Sequence, residues 1–343
     1  TLGQPAWLGA YLALLIPIAL YYVLSIKYQV SKRWLLLATL FYIDLLYTRS
    51  RAAFIAVWIV IPLLILWHLW INKININSIK RLTLGFDTKI LLGILGIFLI
   101  ITFLIGAPFA GVKRFTLEGI TEDKNIQRIE QSPGTFSTGG GGTDSGKIRL
   151  LVWKGALDIF RNYPLIGSGV ETYAFAYYKF RPAEHNLTSE WNFLYNKAHN
   201  EYLNYLATTG ALGLGSYLFM ISLFLWKVSR YILLKKDFLI ASLAAGYLSI
   251  LITNFFGFSV VITNVYLFMI PAFVFVMSGL LNYNEATIYS FEVGRKLRRF
   301  AILGSILVAI YFVFYLVSFW TADLLYALGS NLNRAGEYGK AHQ

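Results

Sequence analysis

The chain has 343 residues, of which 57 % are hydrophobic and 14 % are charged, and its mean hydropathy is +0.60. A soluble domain is far less apolar, so this composition is typical of an all-α polytopic membrane protein. The sequence contains no cysteine, which excludes disulfides and thiolate metal sites. A formal net charge of +13 would suggest nucleic-acid binding in a soluble protein, but the positions of the charges indicate otherwise, as described below.

Eight apolar runs approach the roughly 20 residues that are needed to cross ~30 Å of hydrocarbon. The second run is short and contains Asp44, and we expect this carboxylate to be buried and either neutral or paired. No signal-peptide pattern precedes the first run, and we expect further membrane spans before Thr1. The runs comprise residues 6–26, 34–47, 52–71, 90–107, 211–226, 238–256, 260–281 and 300–320.

Basic residues cluster in every second loop between these runs. Cytoplasmic loops of membrane proteins are enriched in lysine and arginine, so the four basic loops are predicted to be cytoplasmic. Both chain ends and the long loop of residues 108–204 then lie outside. Most of the net charge is therefore a topology signal, and we predict no nucleic-acid partner. The basic residues are Lys27, Lys32, Arg33, Lys73, Lys80, Arg81, Lys89, Lys227, Arg230, Lys235, Lys236, Arg295, Lys296, Arg298 and Arg299.

The outer loop divides into parts of different character. Residues 131–146 are rich in Gly, Ser and Thr and are predicted to be flexible. Residues 147–160 carry apolar side chains at helical spacing, and the Asn-Tyr-Pro sequence that follows should end this helix. An aromatic-rich stretch that includes Tyr173 leads on to His199. We divide the chain into helices at 1–107, the outer loop at 108–204, helices at 205–320 and a tail at 321–343.

The tail resembles the first helix and turn of a tetratricopeptide repeat in its spacing. The matching positions include Ala327, Gly329, Leu332, Gly336 and Tyr338. An amphipathic helical tail is the competing interpretation. If the repeat is present, a helical-repeat domain continues outside the membrane and offers a surface for a protein partner.

Three arginines are predicted to lie on the outer side, against the usual charge bias. Arg49 and Arg51 lie in a short turn between the second and third runs, and Arg149 opens the loop helix. A guanidinium group at the edge of the hydrocarbon is costly without a partner, and its planar donors suit phosphate. The alternatives are contact with lipid headgroups for the first two and a solvated surface charge for Arg149.

His199 comes just before an apolar helix, where water should give way to lipid. It is either a structural hydrogen-bonding residue or a base that takes a proton from a sugar hydroxyl. Asn200 adjoins it, and His185 is the competing histidine. Trp153, Tyr173 and Asn200 are candidate contacts to a glycan or acceptor, although aromatic residues of this loop would serve equally well in a core.

Other kinds of chemistry leave no pattern in the sequence. The loop carboxylates show no metal-ligand spacing, and there is neither a Walker loop nor a dinucleotide fingerprint. We therefore predict no metal and no cofactor, and a substrate that arrives already activated. A polyprenyl-diphosphate sugar fits, because its tail can lie between spans while its diphosphate meets arginines.

Three short motifs in order resemble those of bacterial O-antigen ligases. His199-Asn200, nine residues and then Gly210-Ala211-Leu212-Gly213 is similar to the His-(Asn/Ser/Gln)-x9-Gly-x-x-Gly signature. Thr48-Arg49-Ser50-Arg51-Ala52 resembles the Thr-x-Ser-Arg-Gly turn, with Ala52 where glycine is common. Asp144-Ser145, Arg149, Trp153 and the stretch Pro164-Leu165-Ile166-Gly167-Ser168-Gly169 resemble the start of the large periplasmic loop. The superfamily also includes O-antigen polymerases and protein O-oligosaccharyltransferases.

This resemblance implies a GT-C-type helical bundle and an inverting, metal-independent glycosyltransferase. Such an enzyme transfers a glycan from undecaprenyl diphosphate to an acceptor glycolipid, glycan or protein outside the bacterial cytoplasmic membrane. By position, Arg51 and Arg149 would bind the diphosphate and His199 would activate the acceptor hydroxyl, while Arg49 matches a variable position. Gly210 and Gly213 are expected to allow close helix packing. The tail is not part of the ligase core and suggests an acceptor other than lipopolysaccharide.

Two other functions remain open from the sequence. A transporter of lipid-linked glycans should carry polar residues deep in several spans, and only Asp44, Asn254 and Asn264 are candidates. A non-catalytic assembly protein would use its tail to recruit partners and would not depend on His199 or Arg149.

Overall fold

The computed structural model describes residues 4–25, 28–71, 86–120, 145–280 and 294–341. Helices dominate these residues, and no strand occurs among them. The chain forms two compact units, Thr1–Leu281 and Asn282–Gln343. The helices are α1 (Pro5–Ser25), α2 (Tyr28–Tyr47), α3 (Arg51–Ile71), α4 (Phe86–Ile105), α5 (Ala110–Lys113), α6 (Ser145–Asn162), α7 (Tyr173–Phe180), α8 (Glu201–Lys235), α9 (Phe238–Phe255), α10 (Val261–Ser278), α11 (Arg295–Arg334) and α12 (Tyr338–Ala341).

Each of the eight predicted spans falls on a helix, which confirms the all-α prediction. Among the described residues, six helices are long and apolar enough to cross a membrane, namely α1, α3, α8, α9, α10 and α11. The helix α2 is not among the six, and the apolar part of α4 is the shorter stretch Lys89–Ile105. Asp44 was expected to be buried, but it lies exposed one turn before the end of α2.

Some predictions fall on residues that the structure does not describe. These are most of the glycine-rich segment, the motif residue Asp144, and the basic residues Lys27, Lys73, Lys80 and Arg81. The predicted orientation across the membrane therefore stays a prediction.

The helix α1 is at the centre of the bundle and packs against α2, α3 and α9. Its apolar residues belong to two cores: Leu12, Ile16 and Leu20 to one, and Leu14 to the other. A Cβ on Gly246 of α9 would lie 2.9 Å from the carbonyl oxygen of Leu14, so these two backbones are in close contact. Small residues at such crossings are a usual means of packing helices in lipid, where dispersion replaces the hydrophobic effect.

A third core, which we call the outer core, lies in the outer loop. The helix α6 in this core confirms the predicted loop helix. The helix α6 buries Ile148, Val152, Ala156 and Ile159 on one face. Tyrosines of the following segment and Ala207 of α8 complete this core, so α6 is held against the beginning of α8.

The long helix α8 is interrupted at Gly210, whose φ and ψ of 65° and −166° are not helical. This interruption leaves two carbonyls and two amides of α8 without helical partners. Residues 164–169, which we call the docking segment, satisfy all four groups. Ser168 N–H and Gly169 N–H donate to the carbonyls of Ala207 and Thr208 at 3.0 and 2.9 Å. In return, the Ala211 and Leu212 amides donate to the carbonyls of Pro164 and Leu165 at 2.8 and 3.2 Å.

Glycines allow the docking segment to approach α8 this closely. A Cβ on Gly167 would lie 2.2 Å from the Thr208 carbonyl carbon, and a Cβ on Gly210 would lie 2.4 Å from the Leu165 carbonyl carbon. The expectation that Gly210 allows close helix packing is therefore corrected, because Gly210 makes room for a loop at a helix interruption. Gly213 faces Thr209 of its own helix. A Cβ added at Gly213 would lie 2.1 Å from Thr209 Oγ1.

The second unit contains α11 and α12. The helix α11 has 40 residues and includes the predicted eighth span. A turn with Gly336 at φ 79° connects it to α12, and the Glu337 amide donates to the Leu332 carbonyl at 3.0 Å. This helix–turn–helix start is compatible with the predicted tetratricopeptide-like tail, which stays a prediction.

Replacing Gly210 or Gly167 with alanine should destabilise the protein. Each glycine has a positive φ, and the Gly210 conformation is essentially restricted to glycine. The added methyl would also overlap backbone atoms, so we expect a loss of at least about 2 kcal/mol. Thermal unfolding of the detergent-purified protein measures the effect.

Gly215→Ala is the matched control, because a Cβ on Gly215 of the same helix meets nothing within 4 Å. This variant should leave the midpoint of thermal unfolding unchanged or raise it slightly, since alanine has a higher helix propensity than glycine. Equal midpoints for the Gly210 and Gly215 variants would contradict the described contact.

Candidate active site

A cavity of about 560 Å³ opens at one end of the helix bundle in the first unit. It is lined by residues at the beginning of α1, at the turn between α2 and α3, at the beginning of α6, just before α8, and in the connection from α9 to α10. All of these belong to the end of the bundle on which the predicted outer loops lie. Four predicted site residues line this cavity: Arg49, Arg51, Arg149 and His199.

Arg49 is paired with a carboxylate. Its Nη1 and Nη2 atoms donate to the two oxygens of Glu118 at 3.0 and 3.2 Å, a fork-like arrangement. Arg49 also has a φ of 52°, in the left-handed region that few residues other than glycine adopt. Glu118 therefore largely balances the charge of Arg49, whereas Arg51 and Arg149 have no carboxylate partner in the part of the chain that the structure describes.

Arg51 stands at the first position of α3, and most of its guanidinium donors have no partner among the residues that the structure describes. Its Nε donates to the carbonyl of Pro108 at 3.3 Å, and its guanidinium lies 5.8 Å from the centre of the Phe109 ring. Ser50 precedes it as the helix cap, accepting from the Ala53 amide at 3.3 Å. The cap and these contacts fix the direction in which the arginine leaves the helix.

Arg149 projects from the second turn of α6 and is half-buried. Burial and the nearby positive charge of Arg51 both lower its pKa. Neither arginine forms an ion pair with any residue that the structure describes. Two guanidinium groups that repel each other in a cavity favour the binding of an anion between them.

His199 lies near Arg149, in the left-handed conformation at φ 52°. Its ring makes edge contacts with Tyr195 and Phe258, at centroid distances of 5.6 and 5.4 Å. Burial, followed by the charge of Arg149, lowers its pKa, while Glu190 acts in the opposite direction. The imidazole is therefore neutral at neutral pH and able to accept a proton.

Glu190 and Tyr195 form a polar pair next to this histidine. The Tyr195 hydroxyl donates to a Glu190 carboxylate oxygen, and Tyr195 is buried within the outer core. The pair places one negative charge near His199, against the positive charge of Arg149. Sequence reasoning did not select either residue, because no spacing relates them to His199.

Three predicted glycan contacts have other partners in the structure. Asn200 caps α8, since its Oδ1 accepts from the Leu203 amide at 3.0 Å and the residue is buried. Tyr173 is fully buried and donates to the Val152 carbonyl at 3.1 Å, so it belongs to the outer core. Trp153 packs edge-on against Phe255 at 5.8 Å. None of the three lines the cavity.

The competing histidine, His185, has a structural environment. It is fully buried, its Nδ1 shares a hydrogen bond of 2.8 Å with the Tyr177 hydroxyl, and its Nε2 lies 3.2 Å from the Glu190 carbonyl. In the described part of the chain, no group of three or more His, Asp or Glu residues could hold a metal ion.

A helical bundle in which six described helices are long and apolar enough to cross a membrane is typical of a multi-pass membrane protein. The profile of the O-antigen ligase family matches residues 35–218, more than half of the chain. The chain therefore belongs to the O-antigen ligase family, whose members are glycosyltransferase-like membrane enzymes acting on lipid-linked glycans. A comparison with curated proteins gave no match.

The pKa of His199 should respond in opposite directions to its two charged neighbours. Glu190→Gln removes a charge that raises this pKa and should lower it, whereas Arg149→Gln removes a charge that lowers it and should raise it. Histidine titration by NMR in nanodiscs measures both shifts. Glu184→Gln is the control, because Glu184 is exposed and paired with Lys154 at 3.0 Å. A shift of the same sign in both test variants would contradict the described electrostatics.

Proposed function

We propose that this protein transfers a glycan from undecaprenyl diphosphate to an acceptor hydroxyl on the outer side of the bacterial cytoplasmic membrane. The observation that supports this most is the meeting of Arg51, Arg149 and His199 in one cavity. The acceptor is a glycolipid, a growing glycan or a protein, so that ligation, polymerisation and protein glycosylation share the same chemistry. Family membership favours this class of reaction.

The donor diphosphate binds between Arg51 and Arg149 in this proposal. Two guanidinium groups without carboxylate partners among the described residues supply donors and charge that match a diphosphate. The beginning of α10 borders the cavity, so the polyprenyl chain can extend from it along the apolar helices. Arg49 contributes less, because Glu118 already balances its charge.

The reaction is a single in-line displacement at the anomeric carbon. His199 takes the proton from the acceptor hydroxyl while the hydroxyl oxygen forms a bond to the anomeric carbon. The bond from that carbon to the diphosphate oxygen breaks, the electron pair leaves with undecaprenyl diphosphate, and the configuration inverts. Arg51 and Arg149 stabilise the charge that develops on the leaving group, so we propose that no metal is required.

His199→Ala should abolish transfer without preventing donor binding. A positioned general base contributes about 10²–10⁴-fold to a rate, so transfer in membrane vesicles should fall at least about a hundredfold. Lipid-linked donor should accumulate in cells, and undecaprenyl diphosphate binding by the purified variant should persist. Full transfer by the variant would refute the role of His199, and lost donor binding would indicate misfolding or a binding role instead.

Arg149→Ala should weaken undecaprenyl diphosphate binding in nanodiscs by at least about tenfold, since a charged, bidentate contact is lost. The affinity of Arg149→Lys should lie between those of the wild type and Arg149→Ala, because lysine keeps the positive charge but not the planar guanidinium group. Arg49→Ala is a matched control from the same cavity, and its effect should be smaller because Glu118 balances Arg49. Negligible effects of both Arg149 variants would rule out the diphosphate assignment.

A further inference from the structure

The cavity wall beside His199 differs from the arginine wall. It consists of the last turn of α9, the connection from α9 to α10 and the first turn of α1, and it contains Trp7, Asn254, Gly257 and Phe258. None of these residues carries a formal charge. A neutral wall with half-buried aromatic rings offers no charge to a diphosphate, so it suits a ligand of another kind.

Phe258 is the centre of this wall. Its ring lies 5.4 Å from the His199 ring on one side and 6.3 Å from the Trp7 ring on the other, in edge-to-face arrangements of 73° and 68°. Phe258 and Trp7 are both only half-buried. The three rings thus form a continuous row, with the proposed base His199 at one end and Trp7 at the other.

The polar part of the wall is built by Asn254. This side chain is buried and its Oδ1 accepts from Ser259 Oγ at 2.9 Å. Its Nδ2 is buried in the bundle near the Tyr217 hydroxyl, so Asn254 connects this wall to α8.

We propose that Trp7 and Phe258 form a subsite for a sugar ring of the acceptor, which stacks its apolar C–H face on these rings. The proposal rests on the proposed function, and it narrows the acceptor to a carbohydrate. Aromatic side chains with a few polar groups are the usual lining of small-molecule sites. A peptide hydroxyl on Ser or Thr offers no comparable flat apolar face.

The position beside His199 assigns this subsite to the acceptor and not to the donor. In a displacement with inversion, the attacking hydroxyl and the leaving diphosphate lie on opposite sides of the anomeric carbon. The diphosphate side is occupied by Arg51 and Arg149. The base lies on the side of the attacking hydroxyl, and Phe258 is in contact with that base, so a ring stacked there brings its hydroxyl to His199.

The test measures the binding of two ligands separately, with the purified full chain in nanodiscs. Saturation-transfer NMR measures binding of methyl pyranosides with gluco, galacto, manno and N-acetylglucosamine configurations, and a second assay measures undecaprenyl diphosphate. Phe258→Leu and Trp7→Leu remove a ring but keep apolar bulk, whereas Phe258→Tyr keeps the ring. Phe175→Leu is the matched control, because Phe175 is 81 % exposed on α7 and does not line the cavity.

We expect wild-type protein to bind at least one pyranoside. Phe258→Leu and Trp7→Leu should weaken this binding at least tenfold, while Phe258→Tyr and Phe175→Leu stay within twofold. Undecaprenyl diphosphate binding should stay within twofold in all four variants, which also shows that they fold.

Three results would overturn the subsite. The first is no pyranoside binding by wild-type protein, and the second is unchanged pyranoside binding by Phe258→Leu. The third is an equal loss of undecaprenyl diphosphate binding, which would assign the wall to the polyprenyl chain. If pyranoside binding depends on Phe258 but wild-type protein binds no undecaprenyl diphosphate, the sugar subsite is supported and the proposed donor is wrong.

Discussion

The pairing of the docking segment with the interrupted helix α8 is the contact on which the outer half of the structure depends. A helix that opens at one residue leaves backbone groups unpaired, and this is costly at the edge of a membrane. Here four backbone hydrogen bonds from residues 164–169 replace the missing helical ones. Gly167 and Gly210 make the approach possible, because a side chain on either would overlap the backbone of the other segment.

This pairing connects the outer core to the spans and thereby sets the electrostatics of the cavity. The helix α6 packs on the first turns of α8, so Arg149 on α6 and His199, two residues before α8, are held by the same contacts. Arg51 reaches the cavity from α3, where a serine cap and the Pro108 carbonyl orient it. The result is two arginines without a carboxylate partner among the described residues next to a neutral imidazole, while Glu118 balances the third arginine.

The sequence predicted what local patterns determine. Each of the eight predicted apolar runs lies on a helix, and helical spacing identified the buried face of α6. Both patterns depend on neighbours within a few residues of the chain. Motif resemblance selected Arg51, Arg149 and His199, which share the cavity. Contacts between residues that lie far apart in the chain were not predicted. Examples are the ion pair of Arg49 with Glu118 and the ring contact of Phe258 with His199. Tyr173 was misjudged for the same reason, since an aromatic residue in a loop suits a core and a binding surface equally well.

The interruption of α8 also constrains the order in which the chain assembles. Residues 164–169 precede Gly210 by about forty positions, so they leave the ribosome before the break in α8 does and stay unpaired until α8 arrives. Water can satisfy their amides and carbonyls until then. The break in α8 can only close its hydrogen bonds once this earlier segment has arrived, so the loop and the membrane helix complete their folding together and not as separate modules.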